Sequence, residues 1–260
     1  MEKKNGGFAL ANKRVRKNVM IRVTVWNENI VENKYDDVRE VYPEGIHNFI
    51  AGFLEKNQDF EVKTATLDQP ENGLSDEVLD NTDVLIWWAH IGHHLLPDSL
   101  AKKVQNRVLR GMGLIVLHSA HLAKPFQLLM GTSCSLGWRD GDFERLWTVM
   151  PNHPIAKGVD KFIEFEDEMY SERFDVPQPD ELVFLGWFAG GEVFRSGCCW
   201  YRGLGKVFYF QPGHESNPTY HLSQIQTIIS NSVRWAYPNI IADEIDCPHA
   251  IPSPESMRIS

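Results

Sequence analysis

Gly113-Leu114-Ile115-Val116-Leu117-His118-Ser119-Ala120-His121 is the stretch on which the fold turns. Its first part carries no polar side chain and gives way abruptly to histidines and a serine, the pattern of a strand buried on both faces that ends at a rim. A turn after Leu117 would let the imidazoles of His118 and His121 face one point. The same pattern recurs upstream. Asp83-Val84-Leu85-Ile86-Trp87-Trp88 is apolar nearly throughout, Ile21 to Trp26 is rich in β-branched residues, and Phe60 to Leu67 alternates as a further strand.

Helical patterns fall between these runs. After Tyr42-Pro43-Glu44-Gly45, residues Ile46, Phe49, Ile50, Phe53 and Leu54 recur at three- and four-residue intervals and form one apolar stripe. Pro97 opens another helix, with Leu100, Val104 and Val108 along one side and an end near Gly111. Strands alternating with helices on short connections imply right-handed crossovers and an α/β, doubly wound, mostly parallel sheet. Ligands in such sheets bind beyond the carboxyl ends of the strands, so the loops after Trp26, Trp88 and Leu117 should share one rim. The second half is less regular. Strand-like runs at Leu146 to Met150, Glu181 to Trp187, Val193 to Tyr201 and Lys206 to Phe210 predict a partly antiparallel extension, and Leu222, Ile225, Ile229 and Val233 mark a closing helix.

The 260 residues, 43% hydrophobic, can bury the core of one large domain. Residues 1–18, with Lys3, Lys4, Lys13, Arg14, Arg16 and Lys17 against Glu2, read as a disordered basic leader. A single domain is expected over 19–238, followed by a proline-rich tail over 239–260. A formal charge of -9 argues against nucleic acid or an anionic membrane as partner and favours a small polar ligand. No segment approaches the roughly 18 apolar residues that span a bilayer. Cys134, Cys198, Cys199 and Cys247 show no pairing pattern, which fits a reducing cytoplasm. Cys198 and Cys199, adjacent in a strand, should pack on opposite faces.

Histidine usage carries the chemistry. His90, His93, His118, His121 and His214 all fall just past strands on the expected rim. Neutral imidazole is a common zinc ligand, and three such ligands plus a water make an open catalytic site, so His93, His118, His121 and His214 are candidates to hold a divalent metal, zinc first. Glu28, Glu168 and Glu215 could complete a shell or move protons. In the acidic run Glu166-Asp167-Glu168, Asp167 reads as a solvated loop residue and Glu168 stays open. Ser119 is a candidate nucleophile with His214 as its base, although the glycines of a nucleophile elbow are missing. Most of the tryptophans should be core, with Trp26 and Trp88, at strand ends, the two placed nearest a ligand.

These stretches together resemble the ThuA-like family, linked to trehalose utilisation, from about Ile21 to Ala236. The resemblance rests on Val25-Trp26-Asn27-Glu28, Tyr42-Pro43-Glu44-Gly45-Ile46-His47, the runs at 83–88 and 113–121, Asp167-Glu168-Met169-Tyr170 and Phe208-Tyr209-Phe210-Gln211-Pro212-Gly213-His214-Glu215. It implies a flavodoxin-like fold similar to class I glutamine amidotransferases. Their cysteine nucleophile would fall where this chain has His118-Ser119, and their His-x-Glu pair is here the adjacent His214-Glu215, so glutaminase activity is not expected. The resemblance implies a sugar-related task on trehalose-type disaccharides or their keto forms. Substrate contacts are then expected from Trp26, Asn27, Glu28, His47, Trp88 and His90, with His118, Ser119, His214, Glu215 and Glu168 as the catalytic set. No nucleotide cofactor is expected, and a homo-oligomer is common for such proteins. The alternative reading is a non-catalytic carbohydrate-binding or regulatory protein on an amidotransferase-like fold.

Overall fold

The computed structural model describes residues 20–244. The expected leader and the tail from 245 onward lie outside the described residues. Strand β1 (Ile21–Asn27) leads through two short helices, α1 (Val31–Lys34) and α2 (Asp36–Val41), into α3 (Ile46–Leu54) and β2 (Phe60–Thr66). Helix α4 (Asp76–Asp80), β3 (Val84–Trp88), α5 (Asp98–Leu109), β4 (Gly113–Leu117) and α6 (Lys124–Met130) complete the regular half. Four long strands follow, β5 (Gly137–Thr148), β6 (Phe162–Ser171), β7 (Glu181–Phe188) and β8 (Val193–Arg202). Strand β9 (Gly205–Phe210) and helix α7 (Ser223–Ala236) close the fold.

The nine strands of the described residues form one sheet in the order β2-β1-β3-β4-β9-β8-β7-β5-β6. The first five are parallel, in the flavodoxin order with β9 as the fifth strand, and the rest are antiparallel. Alternate residues of the inner parallel strands feed two separate cores, which explains why β3 and β4 show no polar face. Val23, Ile86 and Ile115 pack with α3 and α7, while Leu85, Trp87, Leu114 and Val116 pack with α5 and α6. Cys199 and Cys198 fall in these two cores respectively, as alternation requires.

The extension exceeds the expectation. Strand β5 begins at Gly137, well before Leu146, and β6 occupies the acidic stretch that gave no strand signal. Asp167 is fully buried, which corrects its reading as a solvated loop residue. Its partners explain the burial: Oδ2 accepts from the Gly213 N–H at 2.7 Å and the Thr219 hydroxyl at 3.0 Å, and Oδ1 accepts from the His214 N–H at 2.9 Å. The edge strand β6 is thereby carried round to the loop that follows β9, and the sheet curls over its own carboxyl rim.

At the opposite end of the parallel strands, the buried Asp83 carboxylate accepts from Arg22 through its backbone N–H at 3.0 Å, Nε at 3.1 Å and Nη2 at 2.7 Å. This ties the start of β3 to the start of β1. Asp83→Ala is expected to cost about 1–3 kcal/mol, the range for stranding partly buried donors. Urea unfolding would read it as a lower midpoint at unchanged slope.

Candidate active site

Leu117 is extended, and His118 then adopts a left-handed φ of 50°, which throws the chain from β4 into a 3-10 turn over His118–Leu122. A non-glycine residue held there costs of order 1–3 kcal/mol and persists only where its surroundings fix it. The turn brings His118 and His121 against one common neighbour. Tyr170 of β6 lies against both, stacked on His118 with ring centres 4.9 Å apart and meeting His121 edge-on at 5.6 Å.

The two imidazoles have opposite fates. His118 Nδ1 donates to the Gln211 carbonyl at 2.7 Å, and Nε2 faces Glu168 Oε2 at 3.0 Å and the Tyr170 hydroxyl at 3.3 Å. Burial opposes its charge, but the Glu168 hydrogen bond and the fields of Glu168, Asp167 and Glu215 outweigh it and raise the imidazolium to about 9. Burial would raise Glu168, yet the hydrogen bond and charge of His118 hold it below its ordinary value. His121 donates from Nδ1 to the Cys134 carbonyl at 2.7 Å, and burial pushes it down to about 4, so Nε2 keeps its lone pair at neutrality.

A second cluster follows β9. Glu215 Oε1 pairs with His90 Nδ1 at 2.5 Å, while its Oε2 is buried without a hydrogen bond and lies 3.6 Å from His214 Nε2. Burial would raise Glu215, but the His90 hydrogen bond and the charges of His214, His90 and His118 bring it down to about 2. Burial and the nearby His118 charge lower His214. Its Nδ1 accepts from the Ser216 N–H at 3.3 Å.

These groups border a cavity of about 380 Å³ lined on its inner side by His90, Ser119, His121, Glu168, Tyr170 and His214, and toward its mouth by Ile91, Leu122, Leu136, Trp138 and Asp140. His118 is fully buried behind Glu168 and Tyr170 and does not line the cavity. Ser119 lines it, but its hydroxyl donates to the Ala89 carbonyl at 2.8 Å and, among the described residues, no histidine accepts from it. His93 stays outside the lining, with both ring nitrogens buried and unpartnered and its value lowered by burial to about 4.

Of the residues expected to contact substrate, the cavity receives His90 alone. Trp26 stacks on Trp87 with ring centres 4.0 Å apart, and Trp88 donates to the Gly213 carbonyl at 3.3 Å; both are buried packing groups. Glu28 accepts from the Ile91 and Gly92 N–H groups at 2.8 and 2.7 Å and straps the loop after β3 to the end of β1. Asn27 and His47 meet at 3.2 Å in a buried cluster with Glu32 at the start of α3. Sequence reasoning missed Tyr170, Gln211, Trp138 and Asp140. Tyr170 was within reach, since it follows Glu168 by two residues and a strand there puts both on one face.

The four histidines offered as metal ligands do not gather into a compact donor set. Among the described residues such a set occurs at His153, Glu181 and Cys199. There His153 Nδ1 accepts the Ile155 N–H at 3.2 Å, so the neutral ring carries its proton on Nε2, toward Glu181. That tautomer suits a hydrogen bond rather than a metal. Within the cavity, His121 has the better form for a ligand, with one nitrogen oriented by a carbonyl and the other free.

Several solved structures share this fold. A protein described as ThuA-like from Parabacteroides merdae is 14% identical with a TM-score of 0.62, over 88% of this chain and 93% of that one. Another, from Bacteroides uniformis, is 12% identical with a TM-score of 0.57 over 86% and 94%. A glutamine amidotransferase from Thermotoga maritima is 11% identical with a TM-score of 0.50 over 83% and 99%. No functionally curated protein matches the sequence. The sequence model of one family, described as trehalose utilisation, matches residues 22–236, and the chain belongs to that family, ThuA.

Proposed function

We propose that the protein is an enzyme that moves protons on a carbohydrate, a keto-sugar or a disaccharide, without a covalent protein nucleophile. The observation that carries this reading is one cavity wall bearing a carboxylate kept ionised by a buried imidazolium, Glu168 with His118, beside histidines pushed neutral, His121 and His214. Environments that drive neighbouring titratable groups apart assign acid and base roles. Neutral His121 is the base, its free Nε2 able to take a proton from a hydroxyl or from a carbon beside a carbonyl, while His214, whose Nδ1 accepts from Ser216, carries its proton on Nε2 and is the donor. Glu168 fixes hydroxyls and steadies the imidazolium that forms on the base, and the His214 Nε2–H donates to the oxygen on which negative charge develops. His118 touches no cavity surface and is a positioning residue that sets the ionisation of Glu168.

Nucleophilic serine finds no support in the placement of Ser119, and Cys134 is buried with its thiol pushed up to about 11 by that burial. Free, buried Cys134, Cys198 and Cys199 suit a cytoplasmic setting. Among the described residues no helix is long and apolar enough to cross a membrane.

Trehalose and a keto-glucoside incubated in D₂O should show deuterium entering beside the carbonyl, or a converted product, in proton spectra. Glu168→Gln and His121→Ala should each lower that rate by about 10²–10⁴, the usual share of a proton-transfer group. Neither exchange nor conversion with any sugar tested would sink the enzyme reading and leave sugar binding without turnover.

A second, independent check uses pH. Folded His118 titrates near 9 against 6.5 for a free imidazole, so its contribution to stability is complete below 6.5 and is lost as pH rises through about 9. Glu168, lowered on folding, contributes above its ordinary value and loses that contribution as pH falls. The stability advantage of wild type over His118→Gln, measured by urea unfolding, should therefore shrink between 6.5 and about 9. Equal midpoints at both ends of that range would contradict the buried imidazolium. The same variant should shift the acid limb of activity upward, because Glu168 loses its cation.

A divalent metal is a second reading, favoured by the free Nε2 of His121 and the unpartnered Oε2 of Glu215. Its ligands would begin with His121 Nε2 and Glu215 Oε2, and it would polarise a carbonyl or a bound water. Elemental analysis of untagged wild type should then show near-stoichiometric metal that His121→Ala loses. Metal-free protein that zinc or manganese fails to load would remove this reading.

A further inference from the structure

Trp138 is 64% exposed, the most exposed of the large hydrophobic residues described. Its indole makes no hydrogen bond and stacks on no other ring among the described residues. It nevertheless lines the cavity, together with Asp140. Strand register explains the placement. Trp138 of β5 pairs directly with Tyr170 of β6, and directly opposed residues of an antiparallel pair point to the same face. Glu168 lies two residues from Tyr170 on that face, about 7 Å along the strand at the usual rise. The outer wall of the cavity therefore runs from Trp138 at the mouth, past Tyr170, to Glu168 at the base.

The geometry points to a sugar-stacking subsite at Trp138, with Asp140 accepting hydroxyl hydrogens, so that the ligand is a glycoside of at least two rings and not a free monosaccharide. This inference rests on the carbohydrate reading above. One ring at Glu168, His121 and His214 leaves the indole bare, whereas a second, a strand step of about 7 Å away, covers it. The apolar C–H face of a pyranose suits an indole face, and its equatorial hydroxyls suit a carboxylate rim. A half-exposed apolar platform beside a few convergent polar groups is the usual composition of a small-molecule site.

The test is calorimetric titration and saturation-transfer NMR with trehalose and with glucose, on wild type, Trp138→Ala and Trp138→Phe. Unchanged melting temperatures would show that the exposed substitution leaves the fold intact. The expected result is that wild type binds trehalose more tightly than glucose by about tenfold, equivalent to ~1.4 kcal/mol. Trp138→Ala should lose that preference, and Trp138→Phe should keep most of it. Equal trehalose binding by wild type and Trp138→Ala would overturn the subsite while leaving the carbohydrate reading standing. Failure of wild type to bind either sugar would overturn both. A change in oligomeric state on Trp138→Ala, with sugar binding unaltered, would reassign the indole to an interface between copies of the chain.

Discussion

A buried ion pair between His118 and Glu168 joins the two halves of this sheet. His118 belongs to the turn at the end of β4, in the parallel half, and Glu168 to β6, the farthest strand of the antiparallel half. Four strands separate them in the sheet, yet their side chains meet at 3.0 Å. Such a meeting requires the sheet to curl, and Asp167 supplies the second tether by accepting the N–H groups of Gly213 and His214. A charge pair taken out of water gains stability only when its remaining valences are filled. Here they are filled by the Gln211 carbonyl and the Tyr170 hydroxyl.

The curl makes the cavity. A doubly wound sheet ordinarily offers a crevice along its carboxyl rim, open to solvent on one side. In this chain the β5–β6 ribbon stands across that opening and contributes Trp138, Asp140, Glu168 and Tyr170, while the parallel half contributes His90, Ser119, His121 and His214. Half of the chemistry thus comes from a part of the chain that the parallel fold alone would not supply. The same closure lowers the polarity around the histidines, which is why His121 and His214 stay neutral while His118, bound to carboxylate, stays charged.

The parallel half was legible in the sequence because its inner strands β3 and β4 are buried on both faces and its helices carry one apolar stripe. Ile21, Ile46, Val84 and Gly113 mark elements that the structure starts within a residue of the expected place. The clustering of His90, His121 and His214 was legible for the same reason, since strand ends in one sheet share a rim. Strand β6 was not, because Glu166-Asp167-Glu168 reads as hydrated unless the acceptors' distant partners, Gly213, Thr219 and His118, are known. Trp26 and Trp88 were misplaced because position at a strand end does not say which layer covers the ring. Trp138 gave no signal, because its place depends on a register with Tyr170 that only tertiary closure sets.

The turn after β4 puts a strained position to an inward use. His118 holds a left-handed φ of 50°, and strain of that kind clusters where a side chain is to be presented to a ligand. Here the side chain is turned inward, saturated by a carbonyl and a carboxylate, and covered by Tyr170. The strain then serves to hold a cation beneath the cavity floor. That cation holds Glu168 ionised, so the ordering of charge along the cavity wall begins at this turn.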